Sequence, residues 1–268
     1  MRRGRLTLTE RSARVAAAVK LHRHVGRLRA GRFLAEGTNL VEAAAARGLV
    51  REVFVTEPAA RKYASLLDSV AAPIHLVTER AAHALSDTVT PSGLVAVCDM
   101  PDTGFADVVA GSPSLLAVAI EIREPGNAGT LIRLADAMGA AAMVFAGHSV
   151  DPYNGKCLRS SAGSIFSIPV IAVPDACGTV SALHAAGLQV LATTVDGELL
   201  LDEVEPLLGK PTAWLFGAES QGLPQPVAQA ADHRVRIPIF GGAESLNVAA
   251  AAAICLYQSA RAQRVARA

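Results

Sequence analysis

The 268-residue chain is poor in cysteine and in aromatic residues, and it has no long uncharged apolar run. Its four cysteines (Cys98, Cys157, Cys177 and Cys255) are far apart and form no Cys-x-x-Cys pair. That spacing argues against a zinc site and a disulfide framework, and it favours small buried thiols. The Arg-rich N-terminus lacks a signal-peptide core, and no apolar stretch has membrane-spanning length. We therefore expect a soluble, cytoplasmic protein with no metal ion and no membrane anchor.

Charge is nearly balanced over the chain, with a formal net charge of +1, but it is unevenly distributed. Residues 1–40 hold ten Lys or Arg against two acidic residues, so the remainder is acidic overall. A basic segment on an acidic body indicates a polyanionic partner, most often nucleic acid. The alternative is a solvated basic tail that binds nothing.

Hydrophobic patterning predicts two α/β regions. Residues 1–16 form a basic arm, residues 17–98 alternate short strands with helices, and residues 99–113 are rich in turn formers and serve as a linker. Residues 114–268 open with a continuous apolar run, typical of a parallel strand covered on both faces. The predicted fold class is α/β, with a small N-terminal domain and a larger C-terminal domain built on a parallel sheet.

Several individual elements follow from the same pattern. Strands are predicted over residues 50–56 and 189–193, where β-branched and apolar residues cluster. Helices are predicted over residues 58–70 and 79–85.

Two stretches of the C-terminal region combine turn-forming residues with polar side chains. The first places Asn127 in a strand-to-helix turn and Arg133 in the helix that follows. The second ends a predicted strand at Gly217 and presents Glu219 ahead of a turn at Gly222. Ends of parallel strands are where open α/β sheets hold their ligands. The glycine spacings match no dinucleotide or nucleoside-triphosphate motif, so we reject those ligands.

A third stretch, residues 237–258, reads Ile-Pro-Ile-Phe-Gly-Gly-Ala-Glu-Ser-Leu-Asn-Val and continues as an Ala-rich run. Gly241 and Gly242 predict a turn, and Ser245 is predicted to cap a long helix. Backbone N–H groups, the Ser245 hydroxyl and the Asn247 amide would then meet at one helix N-terminus, a favourable place for a polar ligand. Taken alone, each stretch also fits a structural loop that binds nothing.

Taken together and in this order, the three stretches resemble the motifs of SpoU-type RNA ribose 2′-O-methyltransferases, of the knotted SPOUT class. Residues 156–163 also resemble that family, and the resemblance covers residues 114–260. Residues 17–98 resemble the ribosomal-protein-like substrate-binding domain that many members carry. The layout is most similar to the thiostrepton-resistance type, which modifies 23S rRNA.

The resemblance implies a trefoil-knotted α/β catalytic domain that works as a homodimer and binds S-adenosylmethionine in the knot. By the family pattern, the methyl donor contacts Gly217, Ile237 and Leu246, largely through backbone groups. The positions that correspond to the family's catalytic residues are Asn127, Arg133, Glu219, Ser245 and Asn247. One departure is Glu124, where many members have Asp.

The implied reaction is methyl transfer from S-adenosylmethionine to a ribose 2′-hydroxyl in RNA, with 23S rRNA as the expected substrate. Family proposals make Arg133 the base, but a protonated guanidinium cannot accept a proton and could instead stabilise the developing alkoxide. The alternatives are a tRNA ribose methyltransferase and a non-catalytic RNA-binding or ribosome-assembly factor. Arg133 and the Ser245-Leu246-Asn247 triplet argue against the latter, because a binding protein needs neither.

Overall fold

The computed structural model describes residues 7–218 and 221–266. Contacts between residues divide the chain into two units. The first unit comprises the residues up to Asp102 together with Tyr153–Phe166, and the second comprises Thr103–Pro152 and the residues from Ser167 onward.

Helices and strands alternate along most of the chain. Up to residue 102 the elements are α1 (Ala13–Val19), α2 (His24–Ala30), β1 (Arg32–Glu36), α3 (Thr38–Ala46), β2 (Val50–Val55), α4 (Glu57–Lys62), α5 (Ala64–Ser69), β3 (Ile74–Leu76), α6 (Glu79–Leu85) and β4 (Leu94–Asp99). The later elements are α7 (Phe105–Ala110), β5 (Leu115–Ile120), α8 (Pro125–Ala137), β6 (Met143–Ala146), α9 (Gly155–Ser160), β7 (Val170–Val173), α10 (Ala176–Ala185), β8 (Gln189–Thr193), β9 (Leu199–Leu200), α11 (Glu205–Leu208), β10 (Thr212–Phe216), α12 (Gln225–Ala230), β11 (His233–Arg236) and α13 (Val248–Ala266).

The second unit is built on a seven-stranded sheet in the order β7-β6-β5-β10-β8-β11-β9. Every neighbouring pair in it is parallel. All six residues of β5 are buried, as expected for an apolar strand covered on both faces. The buried Trp214 of β10 donates its indole N–H to the Ser259 hydroxyl of α13 at 2.8 Å, which ties that helix to the sheet. The predicted parallel α/β fold is confirmed, and the trefoil knot stays a prediction.

The first unit contains a four-stranded mixed sheet in the order β1-β4-β2-β3. β4 is antiparallel to both of its neighbours, whereas β2 and β3 are parallel. Thr56 and Thr78 cap α4 and α6 by accepting hydrogen bonds from Ala59 and Ala81. The predicted small α/β domain is therefore present.

Residues 153–166, which the sequence analysis assigned to the C-terminal domain, group by their contacts with the first unit, and the predicted domain bounds stay a prediction. The ring of Phe33 in β1 lies 4.9 Å from that of Tyr153 and 6.0 Å from that of Phe166, measured between centroids. Arg159 of α9 also pairs with Asp87. These ring and ion-pair contacts place the segment in the first unit, and no local sequence pattern could have shown them.

The predicted basic arm, residues 1–16, lies partly outside the described residues, and its described end is folded. The amide of Leu8 donates to the carbonyl of Leu76 at 2.8 Å, and Val15 of α1 is fully buried. The side chains of Leu8 and Val15 therefore pack in the core of the first unit. The predicted linker, residues 99–113, contains the boundary between the units and also the short helix α7.

The cysteines agree in part with the expectation of buried thiols. Cys98, Cys157 and Cys255 are buried, whereas Cys177 is exposed, and none of the four forms a disulfide with another described residue. Burial raises the pKa of Cys98 and of Cys255 far above the ordinary value, so both remain protonated thiols with low reactivity. Within the described residues no cluster of His, Cys, Asp or Glu could hold a metal ion. None of the described helices has the length and apolar character to cross a membrane.

Candidate active site

The candidate active site is a cavity of about 860 Å³ at the carboxyl edge of the parallel sheet. Three neighbouring strands, β10, β8 and β11, end there, and they are followed by Gly217, Thr194 and Ile237, which all line the cavity. Because parallel strands end at the same edge, segments far apart in sequence meet at this place.

Four of the predicted site residues line this cavity, namely Gly217, Ile237, Ser245 and Leu246. Ile237 is partly buried, and Ser245 and Leu246 are exposed at the edge of the cavity. The structure therefore brings together the three predicted donor contacts and one predicted catalytic residue.

Gly217 permits a close approach between two backbone segments. A methyl group on Gly217 would lie 2.3 Å from the carbonyl carbon of Gly222 and 2.4 Å from the nitrogen of Leu223. Gly222 has a φ of +64°, and its amide donates to the carbonyl of Ala218 at 2.7 Å. The predicted turn at Gly222 is thus confirmed, and it folds the chain back against the end of β10. Glu219, predicted to act from this turn, lies outside the described residues.

Asn127 and Asn247 form a direct contact between two helix starts. The side-chain amide of Asn247 donates to the Oδ1 of Asn127 at 3.3 Å. Asn127 lies in the first turn of α8, whose N-cap Glu124 accepts a hydrogen bond from Gly126 at 3.3 Å. The glutamate that replaces the family's usual aspartate therefore still fulfils a capping role.

Asn247 also caps α13, which corrects the prediction that Ser245 does so. The Oδ1 of Asn247 accepts from the amide of Ala249 at 2.9 Å, and its carbonyl accepts from Ala251 at 3.0 Å. Helix α13 begins at Val248, so Ser245 is three residues ahead of it and leaves its hydroxyl at the edge of the cavity.

Arg133 lies on the exposed side of α8 and does not line the cavity. The structure therefore joins Asn127 to Asn247 but leaves Arg133 on the open surface of its helix. A guanidinium in that position is accessible to a large anionic ligand.

Thr194 is a cavity residue that the sequence analysis missed. Its Oγ1 is buried and has no hydrogen-bond partner anywhere in residues 7–218 and 221–266. The neighbouring Thr193 differs, since its hydroxyl donates to the carbonyl of Leu215 at 2.8 Å. An unsatisfied buried hydroxyl is costly, so this one is suited to a bound ligand. Thr194 directly follows the strand predicted over residues 189–193, and that position at a strand end could have indicated a ligand contact.

Arg234 is a second missed cavity residue, and it is neutralised by acidic partners. Its Nε lies 2.9 Å from a carboxylate oxygen of Glu198, and its Nη1 lies 3.6 Å from Asp196. The backbone amide of Arg234 also donates to Glu198 at 2.9 Å, and this hydrogen bond is the main cause that lowers the pKa of Glu198. The charged residues that line the cavity are partly or fully exposed, and they comprise two arginines and two acidic residues, so their formal charges cancel.

The lining of the cavity provides apolar side chains, backbone polar groups and side-chain hydroxyls for a ligand. Apolar contacts come from Ile237 and Leu246, and polar contacts come from Thr194, Ser245 and the glycine turn. Such a lining suits a small ligand that has both polar and apolar parts.

Two family models match the chain. The model described as the SpoU rRNA Methylase family matches residues 114–257. The model described as an MRM3-like substrate binding domain matches residues 12–96.

Relatives and solved structures agree with these matches. The chain is 36% identical over 241 residues to the 23S rRNA (guanosine(2553)-2′-O)-methyltransferase RlmP of Bacillus subtilis, an alignment that covers 89% of this chain and 92% of the relative. It is similar to the SpoU methyltransferase AviRb of Streptomyces viridochromogenes in complex with AdoMet, with a TM-score of 0.81, 31% identity, and coverage of 95% and 100% of the two chains. The chain is also similar to the AdoMet-bound rRNA methyltransferase of Sinorhizobium meliloti, with a TM-score of 0.81 and 27% identity. That match covers 96% of this chain and 97% of the other.

We expect Thr194→Val to weaken binding of S-adenosylmethionine by about three- to tenfold, the value of one neutral hydrogen bond. Valine keeps the shape of threonine but removes the hydroxyl that has no partner inside the protein. Isothermal titration calorimetry measures the change, and Thr194→Ser, which keeps the hydroxyl, serves as the matched control. Equal affinities for the wild type and Thr194→Val would show that the hydroxyl does not contact the donor.

We expect Gly217→Ala to lower the free energy of unfolding by about 1–3 kcal/mol, because the added methyl group overlaps the backbone of Gly222. It should also weaken donor binding, since the turn must move. The matched control is Gly241→Ala, whose methyl group would have no atom within 4 Å. Urea unfolding and donor titration compare the two, and identical results for both variants would contradict the close approach at Gly217.

Proposed function

The chain belongs to the SpoU rRNA methylase family, and on that basis we propose that it transfers a methyl group from S-adenosylmethionine to a ribose 2′-hydroxyl of 23S rRNA. The observation that carries this proposal is the cavity at the carboxyl edge of β10, β8 and β11. It gathers Gly217, Ile237, Ser245 and Leu246 from two of the three sequence motifs of the family.

The cavity fits the methyl donor. Its volume of about 860 Å³ lies within the range of small-molecule sites. Ile237 and Leu246 offer apolar contacts, and the buried hydroxyl of Thr194 lacks a partner within the described chain. S-adenosylmethionine, when bound, supplies a methyl group carried by a positively charged sulfur. Gly217 and Gly222 add backbone groups to the same cavity.

The proposed chemistry depends mainly on positioning. Methyl transfer would join the 2′-oxygen to the methyl carbon as the carbon–sulfur bond of the donor breaks and the hydroxyl proton passes to solvent water. The rate therefore depends on how the residues of the cavity hold nucleophile and donor in line. The hydrogen bond between Asn247 and Asn127 fixes the starts of α13 and α8 relative to each other. In this proposal Ser245, which lines the cavity, orients the ribose.

Arg133 acts as an electrostatic group in this proposal. A guanidinium remains protonated in proteins, so it does not remove the hydroxyl proton. Its donor fork suits a phosphate of the RNA or the negative charge that develops on the 2′-oxygen. Its exposed position on α8 leaves it accessible to RNA. The role of Glu219, orienting Arg133 or Asn127, rests on the sequence motif alone.

The first unit is proposed to bind the RNA around the target nucleotide. The match to a substrate-binding domain and the basic character of residues 1–40 support this role. Because RlmP and the S. meliloti protein are named as rRNA methyltransferases, we place the activity on ribosomal RNA in the cytoplasm.

Incubation of the purified protein with labelled S-adenosylmethionine and, separately, with unmodified 23S rRNA and tRNA tests the proposal. We expect label at one 2′-oxygen of 23S rRNA. Arg133→Ala should lower kcat by about 100-fold or more while donor affinity is retained, because a group that stabilises developing charge is lost. The control is Lys210→Ala, which removes an exposed cation just before β10, at the opposite end of that strand from the cavity.

Three results would count against parts of this proposal. Label in tRNA alone would assign the other substrate class. Donor binding without transfer to any RNA would indicate a non-catalytic RNA-binding factor. A wild-type rate for Arg133→Ala would remove Arg133 from the mechanism and leave the activity itself in place.

We further propose that the protein works as a homodimer, as the family resemblance implies. One face of α13 supports this, because Ile254, Tyr257, Arg261 and Val265 follow one another at helical spacing. The three apolar side chains among them are exposed, and Tyr257 lies beside Met138 at the end of α8. A stripe of exposed apolar side chains on a long helix suits contact with a second copy.

Tyr257→Asp should convert the dimer into a monomer, because a charge would be buried in an apolar interface. Tyr257 is 56% exposed in the single chain, so its replacement should not unfold the protein. Light scattering coupled to size-exclusion chromatography measures the mass, and Val89→Asp, at a fully exposed valine of the first unit, is the control. A Tyr257→Asp protein that remains dimeric would place the interface elsewhere.

A further inference from the structure

Phe240 is an exposed aromatic residue beside the donor cavity. Its side chain is 94% exposed. Five of the other phenylalanines, Phe33, Phe54, Phe145, Phe166 and Phe216, are at most 5% exposed. Single exposed apolar side chains are common on folded proteins, so the significance of Phe240 lies in its position beside the donor cavity.

The loop that carries Phe240 is fixed at both ends. It leaves the sheet after β11 and ends at Asn247, which bonds to Asn127 and caps α13. Pro238 and Ile239, which directly precede Phe240, line the donor cavity. The ring is therefore held next to the cavity although Phe240 is not one of the residues that line it.

The surroundings of the ring are open. A methyl group placed on Gly241 or on Gly242 would have no atom within 4 Å, so nothing in the described chain covers this part of the loop. Arg236, four residues before Phe240, is exposed as well. An exposed aromatic ring and an exposed cation, carried by one short segment beside the cavity, suit an unstacked base and its phosphate.

We propose that Phe240 stacks on the unstacked base of the nucleotide whose ribose receives the methyl group. This inference rests on the proposed function and extends it, because it assigns the substrate contact that holds the target nucleotide at the cavity. Stacking on a phenyl ring is tolerant of sequence, since every base has an aromatic face. Phe240 therefore positions the target nucleotide, and the choice of site in the RNA is made by other contacts.

Kinetics of Phe240 variants test this contact. For Phe240→Leu, which keeps an apolar side chain but no aromatic face, we expect the KM for RNA to rise roughly tenfold or more. The Kd for S-adenosylmethionine should stay within about twofold of the wild type, because the ring lies outside the cavity lining. Phe240→Tyr restores an aromatic ring and should return KM to near the wild-type value.

A fluorescence experiment reports the stacking directly. Phe240→Trp should keep the affinity for RNA. Its tryptophan emission should be quenched when it binds an unmethylated oligonucleotide that contains the nucleotide to which the wild type transfers the methyl group. The native Trp214 is fully buried, so the wild type supplies the background signal. The same titration with an oligonucleotide that has an abasic site at the target nucleotide should give much weaker quenching.

The outcomes separate this inference from the proposed function. A wild type that methylates rRNA together with an unchanged KM for Phe240→Leu would overturn the stacking contact alone. A changed donor Kd for Phe240→Leu with an unchanged KM for RNA would show that the ring covers the donor, and so would overturn the stacking contact. A Phe240→Leu protein whose molar mass in light scattering differs from that of the wild type would assign the ring to the dimer interface instead. If the wild type methylates no RNA, the proposed function fails, and quenching of Phe240→Trp still decides whether the ring contacts a base.

Discussion

The parallel alignment of β5, β10, β8 and β11 is the constraint on which the candidate site depends. These strands are neighbours in the sheet although they are separated in the sequence, and their carboxyl ends all lie at one edge. A cavity forms there because the chain must leave each strand in a turn, and the turns bring their polar groups together. Burial of the strands on both faces keeps that edge in place, as the fully buried β5 shows.

Two close contacts hold the segments at this edge of the sheet in fixed positions. The hydrogen bond from Asn247 to Asn127 joins residues that are 120 positions apart and aligns the starts of α13 and α8. At Gly217 the absence of a side chain allows the turn at Gly222 to return against the strand end. Rigid placement of this kind is what a methyl transfer requires, because most of the rate comes from orientation.

Sequence reasoning succeeded where a local pattern and a structural role coincide. Strand β8 and helix α6 have the predicted bounds, since their apolar periodicity matches the faces that they bury. The predicted helix over residues 58–70 is instead two helices, α4 and α5, divided at Tyr63, where φ is −111° and ψ is 28°. Periodicity carries no information on such a break, and the same is true of α7 inside the predicted linker.

The amino-acid sequence by itself determined the α/β class, the parallel sheet and the family, because glycine turns and polar residues recur in fixed order at the ends of apolar strands. It also predicted Gly217, Ile237 and Leu246 as donor contacts and Asn127 as a catalytic residue. The first three line one cavity, and Asn127 bonds to Asn247. Only the tertiary structure decided that Asn247 caps α13, that Thr194 holds a hydroxyl without a partner in the described chain, and that residues 153–166 pack with the first unit. Those properties depend on which segments, distant in the sequence, come into contact. Such contacts cannot be predicted from the hydrophobic periodicity of the sequence.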